Sequence, residues 1–355
     1  MLEVKILMTN NVAIITDSHF GIKKANDLFL ESQLRFFKNQ FEPSLKRNGI
    51  KEIFFLGDVF DNRVSMNIKI KNAVLDIFEN VLGGYKIYLL IGNHDSYYTN
   101  TIEVNALKFL DKLNNVTLID KNHIVEVKEK KVFLVPWIVN DKAFLQEVEN
   151  LKERVDVCMG HFAINGFHLN KYKVEESGLS YEHFAKFPIV FSGHLHTRGV
   201  KKFGSCEIVY IGSPYQLTRA DCGEPRGYCI LDMETLAYKF VDNTVSLEYL
   251  QLNYPEKFTK KMIEGNIVDV NVKFDKTTDD KKVQDYIKAI ENFNPIVPPV
   301  IVPVNSFMGP DTVGDFEIKS ASDLMREYVN ALDIANKDEI YVTLEKLYEE
   351  ARNTL

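Results

Sequence analysis

Residues 53–61 read Ile-Phe-Phe-Leu-Gly-Asp-Val-Phe-Asp. The apolar run is short, aliphatic and aromatic, and Gly57 and Asp58 follow it at once, which is typical of a buried strand that ends in a polar loop. The same succession occurs four more times, where short apolar runs are followed by Thr16-Asp17-Ser18-His19, Gly92-Asn93-His94-Asp95, Gly160-His161 and Gly193-His194-Leu195-His196. The sequence therefore predicts buried strands with polar side chains at their carboxyl ends.

Amphipathic patterns separate these runs. Apolar side chains at helical spacing predict helices over Ala25–Lys46, Asn67–Leu82, Glu103–Leu113 and Lys142–Arg154. Closely spaced strands, as in hairpins, are predicted at Val116–Ile119, Ile124–Val127, Val132–Val135, Glu207–Ile211, Tyr228–Leu231, Ala237–Val241 and Leu247–Leu252. The alternation indicates an α/β fold, and the hairpins indicate a second sheet packed on the first. We expect a layered (α+β) β-sandwich flanked by helices.

The character of the sequence changes near Asn253. A strand at Ile267–Phe274, a helix at Lys281–Phe293 and a proline-rich strand at Ile296–Val302 predict a small βαβ unit. Residues 309–314 are typical of a linker, and two amphipathic helices follow. We expect three parts: the layered domain at residues 1–252, a small cap domain at 253–305, and a linker with a helical tail at 306–355.

Composition sets limits on the class of protein. The 355 residues carry 43 Lys and Arg against 50 Asp and Glu, a formal net charge of −7, so any basic surface for nucleic acid must be local. The four cysteines, Cys158, Cys206, Cys222 and Cys229, form no CxxC pair, which favours reduced thiols and the cytoplasm. No apolar stretch reaches the roughly 18 residues of a membrane span. We expect neither secretion nor insertion into a membrane.

The residue types after the five strands are those of metal ligands. Loops at the carboxyl ends of strands in an open α/β sheet converge on one place. Two carboxylates, one amide and several imidazoles suit manganese, iron or zinc better than calcium. These ligands are too many for one ion, so we expect two ions about 3.5–4 Å apart, bridged by a carboxylate. Asp58, central in the order and carrying two oxygens, is the predicted bridge.

In order and spacing, these motifs resemble the signature of the calcineurin-like metallophosphoesterases from Asp17 to His196. The resemblance implies a first metal held by Asp17, His19, Asp58 and His196. It implies a second metal held by Asp58, Asn93, His161 and His194. His94 would act on the substrate without binding a metal, which makes His94 and Asp58 the catalytic candidates. Asp95 either orients His94 or caps the following segment.

Further motifs narrow the resemblance. Gly-Asp-Val-Phe-Asp, Pro136-Trp137, Gly-His-Phe-Ala-Ile-Asn-Gly and Gly-His-Leu-His-Thr are similar to those of the SbcD/Mre recombination nucleases, most closely to the recombination endonuclease subunit of tailed phages. This resemblance implies a manganese-dependent DNA exonuclease and endonuclease in recombination, repair and replication, with magnesium as the alternative metal. Many cellular members carry His at the position of Asp61, which leaves that residue as support for a ligand or as a turn residue.

The resemblance also implies partners. DNA ends and single strands would be the substrate, an SbcC/Rad-type coiled-coil ABC ATPase would bind the C-terminal helices, and the chain would form a homodimer, in the host cytoplasm if it is phage-encoded. The tail carries apolar stripes at Leu324, Met325, Tyr328, Val329 and Leu332, and at Ile340, Leu344, Leu347, Tyr348 and Ala351. These stripes pack either on the ATPase or on the chain's own body. An apolar face of the Asn67–Leu82 helix could form the dimer.

Basic residues near the catalytic loops are candidates for contact with DNA phosphates. The main candidates are Arg63, Arg198, Lys201 and Lys202, and the others are Lys23, Lys24, Arg219 and Arg226. For any single one of them a solvated surface charge is the better interpretation, but we expect several members of the group to contact DNA. Two other functions compete with a nuclease: a phosphatase or nucleotide phosphodiesterase on the same fold, and a non-catalytic interaction module. The module would lack ligands, whereas every ligand of the signature is present here.

Overall fold

The computed structural model describes residues 9–170, 173–274, 278–304, 326, 329 and 336–354, with side chains given up to residue 346. The chain divides into two compact units. One comprises the chain up to Val272 together with residues 276–302, and the other comprises residues 273–275 and 303–355. Within the described residues, no helix combines the length and the apolar character that crossing a membrane requires.

The strands are β1 Asn11–Ile15, β2 Glu52–Phe55, β3 Lys86–Leu90, β4 Val116–Ile119, β5 His123–Val127, β6 Lys130–Val135, β7 Val157–His161, β8 His168–Asn170, β9 Lys173–Val174, β10 Ile189–Gly193, β11 Gly199–Phe203, β12 Cys206–Tyr210, β13 Gly227–Asp232, β14 Tyr238–Asp242, β15 Tyr249–Asn253, β16 Ile267–Val272 and β17 Val300–Pro303. The helices are α1 Ile22–Ala25, α2 Asp27–Phe36, α3 Glu42–Arg47, α4 Ile68–Asp76, α5 Asp141–Asn150, α6 Lys260–Ile263, α7 Asp280–Glu291 and α8 Lys337–Thr354. Their order confirms the predicted alternation of strands and helices.

Two six-stranded sheets form the sandwich, in the orders β14-β13-β1-β2-β3-β4 and β11-β12-β10-β7-β6-β5. In the first sheet β1 to β4 are parallel, and β13 and β14 are added antiparallel at one edge. In the second sheet β6, β7, β10 and β12 are parallel, and β5 and β11 are antiparallel edge strands. The parallel strands of each sheet therefore present their carboxyl ends along one edge.

The apolar runs are continuous because both faces of each central strand are covered. In β2, Phe54 lies in the core between the two sheets, whereas Phe55 lies in the core beneath the helices. This alternation follows from the twofold period of side chains along a strand. Met159 and Phe191 of the second sheet complete the core between the sheets. The predicted layered sandwich with helices outside is confirmed.

Most predicted helices are found, with altered ends. A helix runs from Asp27 through a π-helical turn at Phe37–Phe41 into α3, and Pro43 lies in the first turn of α3 without breaking it. The second predicted helix is α4, extended by a π-helical turn at Ile77–Val81. The fourth is α5. Apolar side chains at helical spacing in these segments made the helices predictable from the sequence.

The helix predicted over Glu103–Leu113 is wrong, since only a 3₁₀ turn forms at Leu110–Lys112. Asn105 explains the difference. Its amide donates to the carbonyl of Ile102 (2.8 Å) and its Oδ1 accepts from the backbone N–H of Leu107 (3.1 Å). Such local side-chain bonds compete with the backbone bonds of a helix.

Some predicted hairpins are also wrong. β4 pairs in parallel with β3 in the first sheet and not with β5, which lies in the second sheet. By contrast, β12 does form a hairpin with β11, and it pairs in parallel with β10 on its other side. The strand predicted at Leu247–Leu252 is β15, which pairs in parallel with β16 in a separate three-stranded sheet of order β15-β16-β17. Helix α7 shares a core with this sheet, as the predicted βαβ unit requires. The proline-rich strand is shorter than predicted.

The second of the two predicted terminal helices is α8, and the aliphatic side chain of its Leu344 is exposed. Of the first predicted stripe, only Val329 lies among the described residues. The stripe residues Leu324, Met325, Tyr328 and Leu332 lie outside them, as do the side chains of Leu347, Tyr348 and Ala351.

Candidate metal centre

Seven predicted ligands lie at the carboxyl ends of five strands. They are Asp17 and His19 after β1, Asp58 after β2, Asn93 after β3, His161 at the end of β7, and His194 and His196 after β10. The first three strands belong to one sheet and the last two to the other. Both sheets therefore direct their strand ends at one place, and the site lies where their edges meet.

The first donor group contains Asp17, His19 and His196, whose nearest ligand atoms all lie within 4.8 Å of one another. The Nε2 atoms of His19 and His196 are 3.0 Å apart. The Nε2 of His19 lies 3.8 Å from Asp17 Oδ1, and the Nε2 of His196 lies 4.0 Å from the same oxygen. This is the set predicted for the first metal, apart from its bridge.

The second donor group forms around Asn93. Its Oδ1 lies 3.0 Å from His161 Nε2 and 3.0 Å from His194 Nδ1. The Nδ1 of His161 lies 2.6 Å from the backbone carbonyl of Leu56, a bond in which the imidazole is the donor. In the neutral ring this bond leaves the Nε2 lone pair directed into the site, as in metal-binding histidines.

Asp58 joins the two groups through one oxygen. Its Oδ2 lies 3.7 Å from His19 Nε2 in the first group and 3.4 Å from His161 Nε2 in the second. The Asp58 side chain is almost fully buried. Oxygen and nitrogen donors that converge in two groups around one shared carboxylate fit a pair of divalent cations.

The buried charged side chains of the site shift one another's pKa values. Burial alone would raise the pKa of Asp58, but the imidazoles of His161 and His19 hold it well below its usual range. Burial would lower the pKa of His161, but the Asp58 carboxylate raises it to about 9. Burial and the neighbouring His161 lower the pKa of His194 to about 4, and burial and His19 lower that of His196 to about 4. The ionised Asp58 carboxylate thus lies near His161, whose pKa is raised, and near His194 and His196, whose pKa values are lowered.

The backbone at four ligands has positive φ: 51° at Asp17, 43° at His19, 52° at Asp58 and 85° at His194. This left-handed conformation is uncommon for residues with a Cβ atom and costs on the order of 1–3 kcal/mol at each position. Such strain persists where the surroundings fix it, and it is concentrated at functional sites. The unusual backbone conformation at the strand ends therefore sets the orientation of these ligand side chains.

Gly92 is required by the carboxylate it contacts. A Cβ atom on Gly92 would lie 2.2 Å from Asp58 Oδ1 and 2.4 Å from the Asp58 backbone nitrogen. The glycine at this position therefore makes room for a ligand side chain. Gly57, whose φ of 96° is unfavourable for residues with a Cβ atom, turns the chain into Asp58.

Asp95 supports the Asp58 loop. Its carboxylate accepts hydrogen bonds from the backbone N–H groups of Asp58 (2.8 Å), Val59 (3.0 Å), Phe60 (3.1 Å) and Gly92 (3.0 Å). Burial and the nearby Asp58 charge raise the pKa of Asp95 to about 7, although these backbone donors act in the opposite direction. The carboxylate therefore fixes the two loops that carry Asp58 and Asn93.

His94 and Asp61 lie together beside the first donor group. The Nδ1 of His94 donates to the backbone carbonyl of Asp61 (2.7 Å), and the backbone N–H of His94 donates to Asp58 Oδ1 (2.8 Å). The Asp61 carboxylate lies 3.6 Å from His19 Nδ1. Because Nδ1 is engaged, Nε2 is the atom with which His94 can meet a substrate. Asp61 contacts both imidazoles, one through its backbone and one through its side chain.

Sequence reasoning did not identify two residues that hold the ligand loops. The Gln33 amide of α2 donates to the carbonyls of Ser18 (2.9 Å) and His19 (3.2 Å). Arg226, predicted as a DNA contact, is buried; its guanidinium donates to the carbonyl of His196 and lies 2.7 Å from Asp221 Oδ1. Nothing in the local sequence marks either residue, because the ligand-loop carbonyls that they bond lie 14 to 30 residues away along the chain.

Trp137 is a further neighbour of the ligands. The ring centroid of Trp137 lies 5.1 Å from that of His194 and 5.8 Å from that of His161. The Pro136-Trp137 pair was noticed as a motif but not predicted as part of the site. It is the single tryptophan of the chain, which could have drawn attention to it.

The remaining predicted DNA contacts differ in environment. Arg198 is ion-paired with Asp242 (2.5 Å), and its guanidinium lies over the Phe240 ring. Lys201 donates to the carbonyl of Gly166. The other candidates are exposed or half-buried: Lys23, Lys24, Arg63, Lys202 and Arg219, of which Arg219 pairs with Asp269 (2.8 Å).

Known proteins resemble this chain in sequence. It is 28% identical over 326 residues to exonuclease subunit 1 of Enterobacteria phage T4, which covers 91% of this chain and 93% of that protein. It is 23% identical over 239 residues to the DNA double-strand break repair protein Mre11 of Methanocaldococcus jannaschii, covering 61% of each protein. An archaeal phosphodiesterase structure aligns with 66% of this chain at 13% identity and a TM-score of 0.37. The predicted likeness to the SbcD/Mre nucleases is confirmed by the two relatives in sequence.

The family model of the calcineurin-like phosphoesterases matches residues 11–198, more than half of the chain and the whole span of the predicted ligands. The match begins at β1 and ends just after His196. Together with the two donor groups around Asp58, it confirms the predicted metal-dependent phosphoesterase. The chain belongs to the calcineurin-like phosphoesterase family.

Proposed function

We propose that this chain is a two-metal DNA nuclease, an exonuclease with endonuclease activity that depends on manganese, with magnesium as the alternative. The observation that carries the proposal is the position of Asp58 Oδ2, 3.7 Å from His19 Nε2 and 3.4 Å from His161 Nε2. A carboxylate shared by two donor groups suits two-metal cleavage of a phosphodiester. The likeness to exonuclease subunit 1, which extends over 91% of the chain, supports DNA as the substrate.

The proposed ligands follow the two donor groups. Asp17, His19 and His196 would hold one ion, Asn93, His161 and His194 the other, and Asp58 would hold both. When bound, such ions lower the pKa of a water molecule and neutralise charge on the phosphate. Asp95 keeps the Asp58 loop in place through its four backbone contacts.

His94 would act on the substrate. Its Nδ1 is held by the Asp61 carbonyl, so the ring is oriented before substrate binds. In its protonated form, Nε2 can donate a proton to the oxygen that leaves phosphorus or stabilise charge on the phosphate. Asp61 is a positioning residue in this proposal, because it acts through His94 and His19.

The test compares substrates with manganese present. Purified chain is given end-labelled linear DNA or a small phosphomonoester, and the rates are measured for the unaltered protein, Asp58→Ala, and Asp111→Asn, which changes an exposed carboxylate. We expect cleavage of DNA by the first and third proteins only. Hydrolysis of the monoester with intact DNA would instead identify a phosphatase or nucleotide phosphodiesterase.

We also propose that a coiled-coil ABC ATPase binds residues 306–355 and that residues 253–305 form a cap on the nuclease domain. The protein would act as a homodimer. Its role would lie in recombination, repair and replication within the cytoplasm. The exposed side chains of Val342 and Leu344 on α8 support an interface there. On α4, the exposed Ile68 is consistent with a dimer surface. Co-purification with the cognate ATPase tests the first proposal.

Among the cationic candidates, exposed Lys202 and half-buried Arg63 are the main proposed phosphate contacts, and Lys201 and Arg198 are further candidates. Contacts to phosphates release counterions, so affinity for DNA should fall linearly with the logarithm of salt concentration. Replacing Lys202 by Ala should reduce the slope by about 1. An unchanged slope would remove Lys202 from the set.

A further inference from the structure

A cavity of about 360 Å³ lies directly beside the metal centre. It is lined by Trp137, Val139, His161, Phe162, Ala163 and Leu179, among others. Four separate segments meet there, after β3, β6, β7 and β9, all near the edge that carries the ligands. None of the chemistry assigned above to the ligands or to His94 uses this space.

The lining is aromatic and aliphatic on one side and polar on the other. Trp137 is only half-buried, although its ring lies against His194 and His161, so part of the indole faces the cavity. Thr99, Asp141 and Ser177, which are at least partly exposed, add polar groups at the margin. A flat apolar wall with polar groups at its edge is the environment that a planar heteroaromatic ring prefers.

We propose that this cavity receives the nucleobase of a nucleotide adjacent to the scissile phosphate, stacked on Trp137. The inference rests on the proposed nuclease function and adds a substrate feature to it. His161 belongs both to the second donor group and to the cavity wall. A phosphate bound at that group would therefore have its neighbouring nucleoside next to the cavity. A base can enter only after leaving its duplex partner, so the substrate is a single strand or an opened end.

Stacking on an aromatic side chain accepts every base, because each has a π face. The site therefore predicts little sequence preference. Base stacking contributes about 1–3 kcal/mol per base, which corresponds to about 5- to 150-fold in kcat/KM. Trp137 also packs on two ligands, so its removal could disturb the metals instead, and the experiment must separate the two effects.

The first experiment is a substrate cycle. Strands that carry either a normal nucleotide or an abasic one next to the cleaved bond are given to the unaltered protein, Trp137→Ala and Trp137→Phe, and kcat/KM is measured with metal content. We expect the unaltered protein to cleave the abasic strand about 5- to 150-fold more slowly than the normal strand. Trp137→Phe should show a smaller difference between the two strands, and Trp137→Ala should show little difference. Phe274→Ala, which removes an exposed aromatic ring outside the cavity, should discriminate like the unaltered protein.

The second experiment uses the fluorescence of Trp137, the only tryptophan in the chain. The His94→Gln variant, in which loss of the proton donor should slow turnover, is titrated with a short single strand whose binding is followed by anisotropy of a label. We expect a base-containing strand to quench tryptophan emission and an abasic strand to bind with little quenching. This readout needs no catalysis.

Two results would overturn the proposal while leaving the nuclease function intact. One is equal loss of activity on both strands in Trp137→Ala, accompanied by loss of metal, which would make Trp137 a support for the imidazoles. The other is identical quenching by both strands. If the unaltered protein neither binds nor cleaves DNA, the proposed function itself fails, and the base site fails with it.

Discussion

Asp58 is the residue on which both donor groups depend, since its Oδ2 is shared by His19 and His161. Replacement by Ala removes the bridge and leaves the imidazoles without their anionic neighbour. Loss of contacts outside the ligand set lowers activity about 10- to 100-fold, so loss of the bridge should exceed roughly 100-fold. Hydrolysis rates and bound manganese measure the effect, with Asp111→Asn as the control. Retention of two ions in Asp58→Ala would contradict the assignment.

His94 should separate catalysis from metal binding. Its backbone contacts Asp58 and its ring contacts the Asp61 carbonyl, but it is not assigned as a ligand. His94→Ala should lower the rate by about 10²- to 10⁴-fold, the usual contribution of a proton-transfer residue, while both ions remain bound. Metal analysis and rates on the same sample check this. Full activity in the variant would exclude His94 from the chemistry.

The opposing shifts of the imidazoles predict how metal binding depends on pH. In the metal-free protein, Asp58 raises the pKa of His161 to about 9, so His161 is protonated at neutral pH. A metal requires the neutral imidazole, so binding must release this proton, and apparent affinity should rise with pH until about 9. Calorimetry of manganese binding in buffers of different ionisation enthalpy measures the released protons. Affinity that is constant between pH 6.5 and 9 would disagree.

Among individual residues, those marked by a local sequence pattern could be predicted from the sequence. The ligands were predictable because each follows a buried strand, and strand ends in an α/β fold converge. Gln33 and Arg226 were not, because each is bonded to the backbone of a ligand loop that lies elsewhere in the sequence. Such a bond is created by packing and leaves no pattern at either residue.

The loops at the strand ends orient the ligand side chains. Substitution of a glycine in such a loop tests whether this orientation depends on the close approach of the backbone. In Gly92→Ala the new Cβ would lie 2.2 Å from Asp58 Oδ1, whereas at Gly84 nothing lies within 4 Å. We expect Gly92→Ala to lower the free energy of unfolding by about 1–3 kcal/mol and to displace Asp58, with loss of metal. Gly84→Ala should change stability by less than about 1 kcal/mol. Thermal unfolding and metal content compare the two, and equal behaviour would show that the close approach is unimportant.

Strands were easier to predict than their partners. The apolar runs of β4 and β15 were identified, but each pairs in parallel with a strand that its position along the chain did not indicate. Two strands that are close along the chain are expected to form an antiparallel hairpin. Parallel strands, in contrast, are joined by a longer crossover connection, so closeness along the chain does not identify the partner. In the same way, apolar spacing suggested a helix at Glu103–Leu113, and the side-chain bonds of Asn105 decided otherwise.

For the molecule as a whole, nuclease chemistry and partner binding should be separable. The ligands all lie between Asp17 and His196, and α8 belongs to the other compact unit. Truncation after Gly314 should therefore leave manganese-dependent DNA cleavage by the isolated chain intact and abolish capture of the cognate ATPase. Leu344→Asp in the full chain should weaken capture by the same mechanism, since Leu344 is exposed on α8. Undiminished ATPase binding by the truncated chain would place the interface elsewhere.

The most direct measurement is the anomalous scattering of a crystal soaked in manganese. Two peaks about 3.5–4 Å apart are predicted, with Asp58 between them, one peak near Asp17, His19 and His196, and the other near Asn93, His161 and His194. A single peak, or two peaks without Asp58 between them, would contradict the shared carboxylate and with it the two-metal mechanism.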